Sequence, residues 1–185
     1  MNRVITILAC MCLAAGTGSC NQKKKDKQQE FIDIASYLKG QLKYIDSVPH
    51  GYLKINVRDS LQPDSVYLTL QQVKDLAAGF LVPELELKKF SKRFEETSFA
   101  DATLQSITVT YTSVNKNNSV ERVDVYVNPQ NGEIARVYLV QNTIAGDNPV
   151  KKQLLWTHNK GFTIITTHSG NGQTDSTITE QVIWQ

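Results

Sequence analysis

The chain holds three cysteines, and none lies beyond Cys20. The stretch from Asn21 onward therefore offers no disulfide, no thiolate metal site and no cysteine nucleophile. A fold built there is held by its core alone, even in an oxidising compartment. Histidines are equally few: His50, His158 and His168. His50 sits in a Pro-His-Gly turn. His158 and His168 fall at opposite ends of one predicted hairpin, a strand length apart, so they do not share a metal. There is no HExxH, no GxSxG, no glycine-rich phosphate loop and no DxDxDG run. Carboxylate neighbours such as Glu95-Glu96, or Glu84 with Glu86, read as solvated. The formal net charge of +2 is too small to suggest nucleic acid. No cofactor and no catalytic residue is implied, and a hydrolase becomes the least favoured class.

What is present begins at the amino end. Asn2 and Arg3 precede an apolar run from Val4 to Ala15, then Gly16-Thr17-Gly18-Ser19 and Cys20. A charged start, a short apolar core and small residues make a secretory signal peptide. The apolar run is shorter than the roughly 20 residues that a membrane span needs. A cysteine directly after the small residues gives the pattern of a bacterial lipoprotein signal over residues 1–19, with Cys20 as the lipidated residue. In that class the thiol carries palmitate-type acyl chains and the peptide is cut before it. Thr17 stands three residues before Cys20, where leucine is usual, and such looser signals point to the Bacteroidota. Each buried CH₂ of an acyl chain contributes about 0.8 kcal/mol, so two or three chains hold a protein to a membrane. Asn21 in place of aspartate favours the outer membrane, and the basic run Lys23-Lys24-Lys25-Asp26-Lys27 favours its periplasmic face. Residues 20–28 form a basic linker that suits anionic headgroups.

Residues 29–185 read as a single domain, long enough for one real core. Phe31, Ile34, Leu38, Leu42 and Ile45 recur at helical spacing over about 29–45. Pro49 and Gly51 end that helix. Tyr52 to Arg58 alternates, with Leu53, Ile55 and Val57 on one side and Lys54, Asn56 and Arg58 on the other, a half-buried strand. Asp59 to Ser65 reads as a loop. Thr69 with Gln72 forms a capping box that starts a second helix, with Leu70, Val73, Leu76, Ala77 and Phe80 on its apolar face. Leu87, Phe90 and Phe94 predict a short helical turn before Ser98.

From Ser106 the period changes to two. Strands are predicted through Tyr111, Val125, Ile134 to Asn142, Lys151 to His158, Phe162 to His168 and Thr177 to Trp184, with a hairpin turn at Asn128 to Gly132. The expected class is α+β: two N-terminal helices packed on an antiparallel meander of about six strands, plus one extra N-terminal strand.

Two functional readings compete. The first is a non-enzymatic, membrane-anchored envelope protein that binds a partner protein or envelope polymer through its sheet. The second is a periplasmic carrier or sensor of a hydrophobic ligand, with Phe80, Trp156 and Ile164 lining the groove. Tyr126 and Tyr138 bear on both, because they alternate out of phase with Val123, Val125 and Val127. The segments Ser36-Tyr37-Leu38-Lys39-Gly40-Gln41, Arg58-Asp59-Ser60-Leu61, Phe99-Ala100-Asp101 leading to Thr108-Val109-Thr110-Tyr111-Thr112, and Leu154-Leu155-Trp156 carry a family likeness. On them the chain resembles a group of uncharacterised Bacteroidota lipoproteins of similar length. The resemblance implies location and fold, and no activity.

Bacteroidota glycosylate exported proteins at Asp-Ser/Thr followed by a methyl-bearing residue. Four tripeptides fit, which makes Ser47, Ser60, Ser65 and Ser176 candidate O-glycosylation sites. At least one carries a glycan, and the intact mass of the native protein should exceed that of the bare lipopeptide. A mass equal to the bare lipopeptide would remove all four.

Overall fold

Side-chain caps start both helices. Helix α1 (Ile34–Ser47) begins at Asp33, whose carboxylate accepts the Ser36 N–H at 3.0 Å. Its buried residues Ile34, Leu38 and Ile45 share one face. Helix α2 (Leu70–Ala77) carries the capping box announced by the sequence. Thr69 Oγ1 accepts the Gln72 N–H, and Gln72 Oε1 accepts the Thr69 N–H at 2.8 Å. Single 3-10 turns follow at Ala78–Phe80 and Pro83–Leu85, then one turn of α3 (Leu87–Phe90). The computed structural model describes residues 31–49, 51–58, 62–103, 105–145, 148–169 and 175–184, all within one unit of the chain. No helix among them is long and apolar enough to cross a membrane.

Nine strands make one antiparallel sheet: β1 (Tyr52–Arg58), β2 (Asp64–Leu68), β3 (Phe94–Asp101), β4 (Ser106–Ser113), β5 (Val120–Val127), β6 (Ile134–Ala145), β7 (Asn148–Thr157), β8 (Gly161–His168) and β9 (Ser176–Trp184). Their order is β2-β1-β9-β8-β7-β6-β5-β4-β3. From β3 to β9 each strand pairs with the next in sequence. The first hairpin, β1 and β2, then extends the sheet from β9.

This corrects the expected α+β class. The protein is mostly one nine-stranded sheet, with two helices longer than a turn, rather than two helices on a six-strand meander with one added strand. Two strands account for the difference. β2 overlaps the expected loop at Asp64 and Ser65, and its five residues are too few to show a period. β3 replaces the turn expected around Phe94. The helical spacing of Leu87 and Phe90 stops at α3, and β3 reads FEETSFAD, a composition with little strand preference. Its pairing with β4 holds it in extended form, residue by residue from Phe94↔Ser113 to Asp101↔Ser106.

Register assigns the faces. Tyr52 pairs with Trp184, and on the same face Val182, Phe162, Trp156, Val137, Val125 and Val109 follow one another in register from β9 to β4. The fully buried Val182, Leu154, Leu139, Val123 and Tyr111 lie on the same face. The helices cover it with Leu38, Ile45, Val73, Ala77 and Phe80. Phe80 meets Trp156 edge-on with ring centroids 5.3 Å apart, and Trp156 stacks on Phe162 at 5.4 Å. Phe80→Ala should cost about 3–5 kcal/mol in urea unfolding, the range for an emptied aromatic site. Thr69→Ala, which removes only a cap, should cost about 1 kcal/mol.

Candidate functional site

Among the described residues, no helix lies over the other face of the sheet. β1 shows why this matters. Its buried Tyr52 pairs with Trp184 and Lys54 pairs with the buried Val182, so Tyr52, Lys54, Asn56 and Arg58 face the helix side. Leu53, Ile55 and Val57 face the uncovered side. An alternating strand ordinarily turns its apolar residues toward the core. Here β1 turns them away from the helices.

The neighbouring strands continue that surface. β2 presents Tyr67 and Ser65, β9 presents Ile183, Gln181, Thr179 and Thr177, and β8 presents Gly161, Thr163, Ile165 and Thr167. No strand residue of β2, β1, β9 or β8 on this face is charged. Tyr67, at the β2 edge, is 78% exposed. Depletion of charge over a flat aliphatic and hydroxyl surface marks the centre of a protein interface more than ordinary solvated sheet.

Three shallow depressions run across this face along the strand ends. The first, about 360 Å³, lies among Gly51, Leu53, Tyr67 and Ile183. The second, about 230 Å³, lies over Gly161 and shares Ile183 with the first. Gly161 has φ +152°, and a Cβ there would collide with the Val182 carbonyl oxygen, so the backbone is bare at this point. The third, about 480 Å³, shares Thr157 and Lys160 with the second and adds Glu133, Arg136, Leu155 and His158. Together they form a trough that is apolar at the β1 end and charged at the β6 end.

The charged end is ordered by side-chain contacts. The Arg136 guanidinium lies 5.1 Å from the Tyr126 ring centroid, and Arg122 lies 5.9 Å from that of Tyr138. Asp124 is buried beneath them. Its carboxylate accepts the Thr110 hydroxyl at 2.8 Å and pairs with Arg122 Nε at 3.2 Å. Burial pushes the Tyr138 phenol up, partly offset by Arg122. At the trough's end, Tyr37 of α1 reaches both His158 Nδ1 (3.0 Å) and the Ile134 carbonyl (3.2 Å). A carbonyl only accepts, so the phenol proton goes to Ile134 and His158 Nδ1–H donates to the phenol oxygen. His158 is then held with Nε2 as its acceptor.

A separate polar hollow of about 470 Å³ lies on the helix side of β1 and β9, among Lys54, Asn56, Arg58, Asp64 and Glu180. Lys54 and Glu180 pair there at 3.2 Å. Among the described residues no group of three His, Cys, Asp or Glu is placed to hold a metal ion.

Of the residues singled out in the sequence, Phe80, Trp156 and Ile164 are brought together, but in the packed core. The first two are fully buried with rings in contact, and Ile164 is buried beside them. Tyr126 and Tyr138 do lie opposite the Val123 and Val125 face. Ser47 ends α1, is exposed, and donates to the Tyr44 carbonyl at 2.8 Å. Ser65 in β2 and Ser176 at the start of β9 are exposed. Cys20, Ser60 and His50 lie outside the described residues. His168 pairs with Val150 at the far end of β8 from His158, as the hairpin spacing requires. Sequence reasoning missed Leu53, Ile55 and Val57 as surface residues. The available signal was Tyr52, a large aromatic in phase with Lys54.

Compared with known proteins, the chain matches no family model, no curated protein and no solved structure.

Burial pushes the Tyr37 phenol up to about 12. The free phenol titrates near 10, so the folded state holds this proton more tightly. That part of the stability is complete below about pH 10 and is lost as pH rises through the folded value. Urea midpoints between pH 9 and 12 should therefore fall for the native protein. Tyr37→Phe should show a shallower fall. Equal slopes would remove Tyr37 from the account.

Proposed function

We propose that this is a non-enzymatic lipoprotein, anchored in the outer membrane through Cys20 and facing the periplasm, that binds a partner protein on the uncovered sheet face. The observation that carries the reading is the orientation of β1, with Leu53, Ile55 and Val57 directed away from the helices among uncharged neighbours on β2, β8 and β9. Aliphatic and threonine side chains on a flat sheet suit another protein's surface. A glycan platform would rest on exposed aromatic faces, and here an arginine lies over each of Tyr126 and Tyr138. The carrier reading is weaker, because the residues meant to line its groove are packed against one another. Phe31, the first described residue, packs on Phe90 and Tyr111 on the helix side.

The full-length, lipidated protein tests this in its native envelope. A photo-crosslinking residue at Gln181, in the middle of the uncovered face, should capture one discrete protein. The same residue at Lys39, exposed on α1, should not. Tyr67→Asp should reduce the Gln181 adduct about tenfold while leaving the thermal midpoint within about a degree or two, as for surface changes. Adducts of polymeric, heterogeneous mass at Gln181 would replace the protein partner with an envelope polymer. Equal capture at both positions would refute a role for this face.

A further inference from the structure

β3 is the longer of the two sheet edges, and neither proline nor a bulge interrupts its outer rim. Edge strands are commonly blunted by proline, a bulge, short length or charge, and of these β3 has only its carboxylates Glu95, Glu96 and Asp101. β2 is five residues long and follows Pro63. β3 has eight residues, no proline and an unbroken register with β4. It also carries Phe99, which is 68% exposed.

The backbone pattern shows which groups face outward. The Val114 N–H donates to the Arg93 carbonyl at 2.9 Å, so Arg93 belongs to a hydrogen-bonded pair with the β4 side. Hydrogen-bonded and non-bonded pairs alternate along an antiparallel ladder. Thr97, Phe99 and Asp101 therefore bond toward β4. Phe94, Glu96, Ser98 and Ala100 direct their N–H and C=O groups to the free rim.

We infer that this rim pairs with the same rim of a second copy of the chain, in an antiparallel two-fold dimer centred on Thr97. Preserving the faces requires residues of equal parity to meet. Centring on Thr97 hydrogen-bonds Glu96 to Ser98 and Phe94 to Ala100, each twice. On the uncovered face it sets Arg93 of one copy opposite Asp101 of the other, again twice. Centring on Glu96 opposes that glutamate to itself, and centring on Ser98 opposes Glu95 to Asp101. Like charges directly opposite are destabilising, and centring on Phe99 leaves only Ser98–Ala100 bonded within the strand and loses the Arg93–Asp101 pairs, so charge and pairing length together select the Thr97 register. Asp101 also accepts the Thr103 N–H at 2.8 Å, which orders its carboxylate.

The two-fold axis is normal to the sheet. It keeps both helix layers on one side and both uncovered faces on the other. Phe31 packs on Tyr111 of β4, one strand from the axis, and the Ile32 N–H donates to the Tyr111 hydroxyl at 3.1 Å. The dimer does not depend on what covers the uncovered face, and the two are tested apart.

The test uses disulfide capture in the native envelope, with the full-length chain and non-reducing gels. Thr97 faces itself as a non-bonded pair, whose Cα separation of roughly 4.5 Å lies within disulfide range. Thr97→Cys should form a covalent dimer of the chain, roughly tenfold more than Phe99→Cys, whose partner in this register is Glu95. Adding Ser98→Pro should abolish that dimer. The Ser98 N–H points to the free rim, so this proline spares the β4 ladder and the melting curve should be retained. Thr97→Cys dimer no greater than that of Phe99→Cys, a dimer that survives Ser98→Pro, or a mixed disulfide to a different protein would each overturn the proposal.

Discussion

Trp156 is the point where helices and sheet are joined. Its ring touches Phe80 from the turn after α2, Phe162 on β8 and Trp184 on β9. Its indole N–H donates to Gln41 Oε1 of α1 at 3.4 Å, and the same oxygen accepts the Asn159 N–H at 3.1 Å. One side chain thus ties both helical segments to three neighbouring strands. The interior has no covalent tie to share the load, since residues 21–185 contain no cysteine. Close packing of this cluster sets how far the helices can shift.

The same cluster uses up the helical cover. An antiparallel sheet has two faces, and only one of them is closed here. The sequence supplies aliphatic residues to both faces of β8 and β9 and to the uncovered face of β1, which is more than a single-sided core needs. Position and chemistry therefore agree. The surplus aliphatics and the uncharged rows lie on the side away from the helices.

Local signals were legible and long-range ones were not. Thr69 and Gln72 announced α2 because a capping box is decided within four residues. The turn at Asn128 to Gly132 was legible for the same reason: Gly132 takes φ +72° and its N–H returns to Asn128 O at 2.8 Å. β4 to β9 showed in their alternation. β2 and β3 did not, since an edge strand takes its extended form from one neighbour rather than from its own composition. The direction of β1 was hidden for a stronger reason. Its faces are set by pairing Tyr52 with Trp184 at the other end of the chain. Phe80, Trp156 and Ile164 belong to one buried cluster, and apolar spacing does not distinguish a lined groove from a filled one. Only contact geometry does.

The pairing of β1 with β9 also bears on how the chain is made. Synthesis proceeds from the amino end, so the first hairpin is made long before its partner strand exists. Until β9 arrives, the β1 backbone lacks half of its ladder and its aliphatic residues face water on every side. The rest of the meander, from β3 to β9, assembles by nearest-neighbour steps and is free to grow as it emerges. Closing the β1 edge is instead a late step of high sequence separation, the kind that slows folding most. A chain stalled before its last ten residues would retain most of its sheet and still display a sticky, half-paired hairpin. Such a species is what a folding chaperone would have to shield.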